Sequence, residues 1–407
     1  MWWFSCVLLL LLSLPQEQSS DLQPRPFECT GLYIVPVRVY DQDVLGLIDT
    51  GSSACFLDKE FFRKELTAEA VDRREEISLA DGRRVSAPVF TIPMQIAGCK
   101  SAEVLATAID IKEYANSDFA FKVIVGMSYM ENHPIRFNGS DGTFAQITDE
   151  FQLPQSPAIT LRRTKQKAPL VPVRLPLLGV RDFMLATGLN GAIEMEPDRL
   201  QQLERGGHAV RVPEAGTEFV NPDGSKFEVK RYWLRKIDIC GVRFDNVMVA
   251  TGTTSLVSMS ILKHFDLTID CKSNRLWMNP LQAIVRCPLG LNGMDGMGFA
   301  AKFDAKRQLL IQENMDADGL AKRSGIQPGD EIIEINGKSV IEYTYYSVKE
   351  EFSQASINLT LKFRRDETDF DVDIKLKYEH PFPPEWPPEP ADFNPDAVPE
   401  KQDDAEP

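Results

Sequence analysis

Short apolar runs separated by turn residues punctuate the chain, and they recur in the same order. Val35-Pro36-Val37-Arg38 returns as Val171-Pro172-Val173-Arg174, and each copy leads through a second strand to a tight turn, Asp49-Thr50-Gly51-Ser52-Ser53 in the first and Ala186-Thr187-Gly188 in the second. Another apolar strand follows each turn, Ala54–Leu57 and Gly191–Met195, and then a helix. The first helix carries Phe61, Phe62 and Leu66 on one side; the second opens at Pro197, a favoured first helical position, and stops at Gly206-Gly207. Asp81-Gly82 and Asp223-Gly224 mark hairpin tips. Strands around Gly98-Cys99 and Cys240-Gly241 come next. Each copy closes on an apolar segment, Ile124-Val125-Gly126-Met127-Ser128 and Leu256-Val257-Ser258-Met259-Ser260. The pattern predicts a mainly β protein with two related lobes, residues 31–150 and 169–281, joined by a linker over 151–168.

Residues 288–377 follow a different pattern. Gly296-Met297-Gly298-Phe299 precedes strands over Ala300–Phe303 and Leu309–Ile311, a helix over Tyr345–Gln354, and strands over Ile357–Phe363 and Phe370–Leu376. Residues 378–407 hold nine acids against the single base Lys401, with eight prolines between Pro381 and Pro399, a composition that predicts an extended, disordered tail.

At the other end, the aliphatic run Val7–Leu14 behind Trp2, Trp3 and Phe4 reads as a signal peptide over residues 1–20. It falls short of the roughly 18–20 apolar residues that span a bilayer. Export to a periplasm or to the outside is therefore expected, with an uncleaved N-terminal anchor as the alternative.

The 407-residue chain carries a net charge of −15, which excludes nucleic acid as a partner because phosphate neutralisation needs basic surface. Six cysteines beyond the export segment allow either disulfides or buried thiols. The four histidines are scattered and no CxxC pair exists, so a zinc site is not expected. No metal or organic cofactor is implied.

The chemistry concentrates at the first turn. An acid, a hydroxyl and a glycine after the apolar run Val44–Ile48 place a carboxylate on a backbone-rich turn. With the later Ile124-Val125-Gly126, the stretch resembles the retropepsin-like and pepsin-like aspartic peptidases, and the likeness covers residues 31–281 as duplicated acid-protease barrel lobes. The resemblance implies Asp49 as catalytic acid, Thr50 in an interlocked threonine pair, Gly51 at the close approach, and Ser52 supporting the acid. It also implies a flap over substrate at Leu79–Val85, with Leu79, Ala80, Asp81 and Gly82 at its tip. Such enzymes split a peptide bond with water held between two carboxylates that share a proton. The second copy keeps Thr187 and Gly188 but has Ala186 for the acid and Ser258 for the later glycine. Either Asp49 acts alone, or two chains form a homodimer through their first lobes and bring two copies of Asp49 together.

Gly296-Met297-Gly298-Phe299, with Ser324-Gly325-Ile326-Gln327-Pro328-Gly329-Asp330 through Asn336-Gly337, resembles a PDZ domain. That resemblance implies a nest of backbone N–H groups at Gly296, Met297, Gly298 and Phe299 for a peptide's terminal carboxylate. A groove that adds the peptide as a strand is implied beside it. The expectation is an exported aspartic-type endopeptidase acting on protein or peptide substrates, its PDZ domain recruiting C-terminal peptides. The alternative is a pseudopeptidase adaptor that binds peptides without cutting them.

Overall fold

The computed structural model describes residues 26–66, 70–78, 84–111, 121–139, 141–148, 152–212, 217–220, 226–289, 299, 301–304, 306–312, 320–352, 356–377 and Trp386. The predicted signal peptide over residues 1–20, the predicted flap tip Leu79, Ala80, Asp81 and Gly82, both Asp-Gly dipeptides, Gly296, Met297 and Gly298, and residues 378–407 apart from Trp386 lie outside the described residues.

Alternation of buried and open positions along Ile34–Val39 and Pro169–Leu175 gives each lobe its first strand. In lobe 1, six strands follow one another around a barrel: Ile34–Val39, Gln42–Ile48, Val123–Val125, Cys55–Asp58, Ala102–Ile109 and Arg84–Ile96. The first closes onto the last with Val37 opposite Ile96. Lobe 2 repeats the order with Pro169–Leu175, Gly179–Ala186, Leu256–Ser258, Ile193–Met195, Val242–Thr251 and Arg231–Ile239. It closes at the corresponding place, Val173 opposite Ile239. The helices Lys59–Glu65 and Pro197–Arg205 stand where the sequence places them. Asp58 caps the first by accepting from the Phe61 N–H at 2.9 Å.

The lobes share a five-stranded sheet that the repeat alone does not announce. It runs Ile159–Thr160, Arg275–Pro280, Phe265–Asp270, Ile135–Asn138, Thr143–Gln146, so lobe 1, lobe 2 and the linker all contribute. Arg136 and Asp266 meet across it in a bidentate ion pair. The linker is thus partly stranded, because its Ile159–Thr160 pairs with Leu276 and Arg275.

Beyond lobe 2, the strand Ile284–Leu289 runs parallel to Val242–Thr251 and leads into the C-terminal domain. That domain's sheet has the order Ala301–Phe303, Leu309–Ile311, Glu331–Ile335, Ser356–Arg365, Thr368–Lys377, with helix Tyr345–Phe352 beside it. Its core residues Phe303, Leu361, Phe363 and Phe352 are continuous with Ile34, Leu47, Phe56 and Ile124 on lobe 1. A short helix, Pro26–Thr30, takes part in this junction, and its Cys29 is buried in the same cluster.

Of the two cysteine readings, free thiols hold for Cys29, Cys55, Cys99, Cys240 and Cys271. Burial pushes the thiols of Cys240 and Cys271 up to about 11, so both stay protonated and packed rather than reactive. No described helix is long and apolar enough to cross a membrane.

Candidate functional site

Parallel pairing of Ile48 with Val125, and of Leu185 with Val257, sets an apolar strand behind each turn and delivers Asp49 and Ala186 to the meeting point of the lobes. The turns lock together there. Thr50 N–H donates to Thr187 Oγ1 at 3.1 Å, and Thr187 N–H donates to Thr50 Oγ1 at 3.2 Å. Each hydroxyl then donates onward across the junction, Thr50 to the Leu185 carbonyl at 2.7 Å and Thr187 to the Ile48 carbonyl at 2.9 Å. Both threonines are fully buried, so these four bonds satisfy groups that water cannot reach. The lock forms within one chain. A dimer through the first lobes would require these four bonds to be broken.

The carboxylate of Asp49 is half-buried and accepts three hydrogen bonds. Gly51 N–H donates to Oδ1 at 2.9 Å, Gly188 N–H donates to Oδ1 at 3.2 Å, and Ser52 Oγ donates to Oδ2 at 2.6 Å. One of the three comes from the second lobe. Gly188 has to be a glycine for that approach, since a Cβ there would stand 2.6 Å from Asp49 Cγ. The reciprocal position holds the buried methyl of Ala186, and a Cβ placed on Gly51 would lie 3.7 Å from it.

The second turn differs from the first by more than Ala186 in place of Asp49. Met127 N–H donates to the Ser52 carbonyl and Met259 N–H to the Leu189 carbonyl, which makes Leu189 the counterpart of Ser52. The hydroxyl that steadies Asp49 therefore has no equivalent in lobe 2. Sequence reasoning missed this, although the residue beside Gly188 carries the signal. The other departure, Ser258 for Gly126, has a local cause. A Cβ on Gly126 would fall 2.0 Å from the Ala54 carbonyl oxygen, whereas lobe 2 turns through two residues, Asn190-Gly191, where lobe 1 has Ser53 alone, and a Cβ on Gly191 would find Ser258 Oγ at 3.7 Å.

In the C-terminal domain, Phe299 is buried and meets the Phe352 ring edge-on at 6.3 Å between centroids. Phe299 stands two residues before the sheet's terminal strand Ala301–Phe303, and Val348 and Phe352 of the helix Tyr345–Phe352 share one buried cluster with Phe299 and Phe303. Asp330 anchors the turn before the next strand by accepting from Gln327 N–H at 2.7 Å and pairing with Arg365 at 2.6 Å. Among the described residues no cluster of histidine, cysteine and acid side chains could hold a metal ion.

Residues 286–364 match the PDZ domain family. No curated protein matches the chain. The C-terminal region is therefore a PDZ domain, and it follows two closed six-stranded barrels.

Proposed function

We propose that this protein is an exported peptide-binding protein built on an aspartic-peptidase frame, with a lobe cleft that holds extended polypeptide and a PDZ groove that takes a free C-terminus. The PDZ domain itself gives the chain a role in binding peptides or protein partners. The observation that carries the cleft reading is the surroundings of Asp49. Three donors point at its carboxylate, while the position that would supply a proton-bearing second acid is a buried alanine. A water between two unlike carboxylates needs both to split an amide. The apolar segment Val7–Leu14 supports export.

A second reading, hydrolysis by the lone carboxylate, is favoured by one observation. Ser52 still holds Asp49 at 2.6 Å, a support that peptide binding alone does not require. Incubation of a long unstructured protein with wild type and with Asp49→Ala over pH 3–7 separates the two. The binding reading expects neither protein to cut while both retain the substrate on a column. Cutting by wild type that falls about 10²-fold or more in Asp49→Ala establishes the hydrolase instead.

A further inference from the structure

The PDZ groove is not bare. Its two walls are the strand Ala301–Phe303 and the helix Tyr345–Phe352, and the helix Pro26–Thr30 packs against both. The contact is specific. Tyr346 Oη donates to the Gly31 carbonyl at 3.0 Å, and the Phe27 and Tyr346 rings lie 6.3 Å apart. Gly31 is pressed so closely to the groove helix that a Cβ there would stand 2.7 Å from Tyr345 Cδ1. Its φ of +67° independently favours glycine. Lys263 of lobe 2 closes the arrangement, with Nζ 4.2 Å from the Tyr346 ring centre and 3.1 Å from Glu350.

The same segment touches the second turn. Asn190 Nδ2 donates to the Thr30 carbonyl at 2.5 Å, and Tyr346 Oη lies 3.5 Å from Asn190 Oδ1. Asn190 sits two residues beyond Gly188, whose N–H points at Asp49. Groove helix, N-terminal segment and second turn thus form one hydrogen-bonded chain.

We propose that residues 26–31 are a resident occupant of the PDZ groove, and that a peptide with a free C-terminus enters by displacing them and so releases Asn190 beside the second turn. This rests on the groove reading above. Two ligands that need the same two walls compete, and the apparent affinity for the incoming peptide falls by the fraction of chains whose groove is open.

The test uses the full chain and fluorescein-labelled octapeptides ending in Val, Leu or Ala, each with a free carboxylate and with an amidated counterpart. Phe27→Ala and Asn190→Ala remove support for the occupant without altering either wall of the groove. Each is expected to tighten binding of the free-carboxylate peptides about tenfold. Hydrogen exchange supplies a readout that a change in folding alone would not move: the Gly31 amide, bonded to the Phe27 carbonyl in the resting chain, should lose protection when peptide is added to wild type. Equal affinities in all three proteins, with Gly31 protection unchanged by bound peptide, overturn the displacement proposal and leave the groove reading standing. Failure of wild type and both variants to bind any free-carboxylate peptide overturns both.

Discussion

Thr50 and Thr187 each donate a backbone N–H to the other's hydroxyl, at 3.1 and 3.2 Å, across the seam between the lobes. The second turn carries Ala186 where the first carries Asp49, yet the interlock is whole. Its work is mechanical, since it fixes where the two turns meet and so fixes Gly188 against Asp49.

Replacing Thr187 by Val keeps the shape and removes the hydroxyl. The Thr50 N–H and the Ile48 carbonyl then lose their partner in a buried seam. A destabilisation of about 2–5 kcal/mol is expected, because each stranded group costs about 1–3 kcal/mol. Urea unfolding measures it, with Thr187→Ser as the variant that keeps the bond and loses less than about 1 kcal/mol. A change below about 0.5 kcal/mol in Thr187→Val would show that the seam does not hold in solution.

Restoring the second acid should produce a pH signature before any activity is sought. Ala186→Asp sets a carboxylate beside Asp49, and two acids about 3 Å apart cannot both ionise. One carboxyl in the folded variant is then raised above its unfolded value, so the folded state keeps a proton that the unfolded state releases. The stability deficit against wild type is absent at low pH, develops as pH rises through the unfolded value of about 3.9, and is complete above the raised value. Adding Leu189→Ser returns the supporting hydroxyl, and the double variant is the one expected to gain acid-side hydrolysis. An equal deficit at pH 3 and pH 7 would place residue 186 outside the reach of Asp49.

How far the sequence discloses this molecule follows from the range of the forces involved. Strand period, turn glycines and the Thr-Gly pair are local, and they locate both barrels and the two facing turns. Leu189 is equally local, but its meaning depends on knowing which lobe 1 residue it replaces, and the extra residue after it hides the register. The shared sheet was illegible because alternation along Ile135–Asn138 tells which face is buried and not that Phe265–Asp270 of the other lobe lies alongside. Pro26–Thr30 is barely more than one helical turn, too short to display a 3.6-residue period. Its meeting with Tyr346 joins segments 315 residues apart along the chain. Trp386, in a stretch whose composition predicts no structure, donates to Asn246 at 2.8 Å and stacks with Arg235 at 4.7 Å, a docking set by one side chain rather than by a pattern.

The unequal glycines of the two repeats make a matched pair of tests. In lobe 1 a Cβ on Gly126 meets backbone oxygen at 2.0 Å, an atom that cannot swing aside. Gly126→Ala should cost about 3 kcal/mol, as overpacking against rigid neighbours does. Ser258→Gly in lobe 2 removes a side chain that already fits and should cost about 1 kcal/mol, the flexibility penalty of glycine in a strand. Thermal unfolding of the two variants ranks them. Equal losses would mean that the extra residue in the second turn does not relieve the crowding.

His264 supplies the acid sensitivity that the wild-type protein should show. Burial, followed by the neighbouring Lys263 charge, lowers its pKa from 6.5 to about 4. Its ring packs edge-on against Phe244 at 5.7 Å, and Gln282 Nε2 lies 3.0 Å from Nδ1. A histidine whose folded value is depressed is neutral in the native state while the unfolded chain binds a proton. Stability is therefore full above pH 6.5 and falls as pH drops toward 4. The loss attributable to this one group is on the order of 3 kcal/mol, at about 1.4 kcal/mol per pKa unit. Carboxylates held low by partners, Asp270 beside Ser273 and Arg275 among them, add to the decline in wild type. The informative quantity is therefore the difference between wild type and His264→Phe, which keeps an aromatic ring against Phe244 and cannot take a proton. Chemical unfolding at pH 7 and pH 4.5 should show a smaller drop for His264→Phe by about 2–3 kcal/mol. Parallel declines for the two proteins would mean that His264 is protonated without penalty and is not enclosed as described.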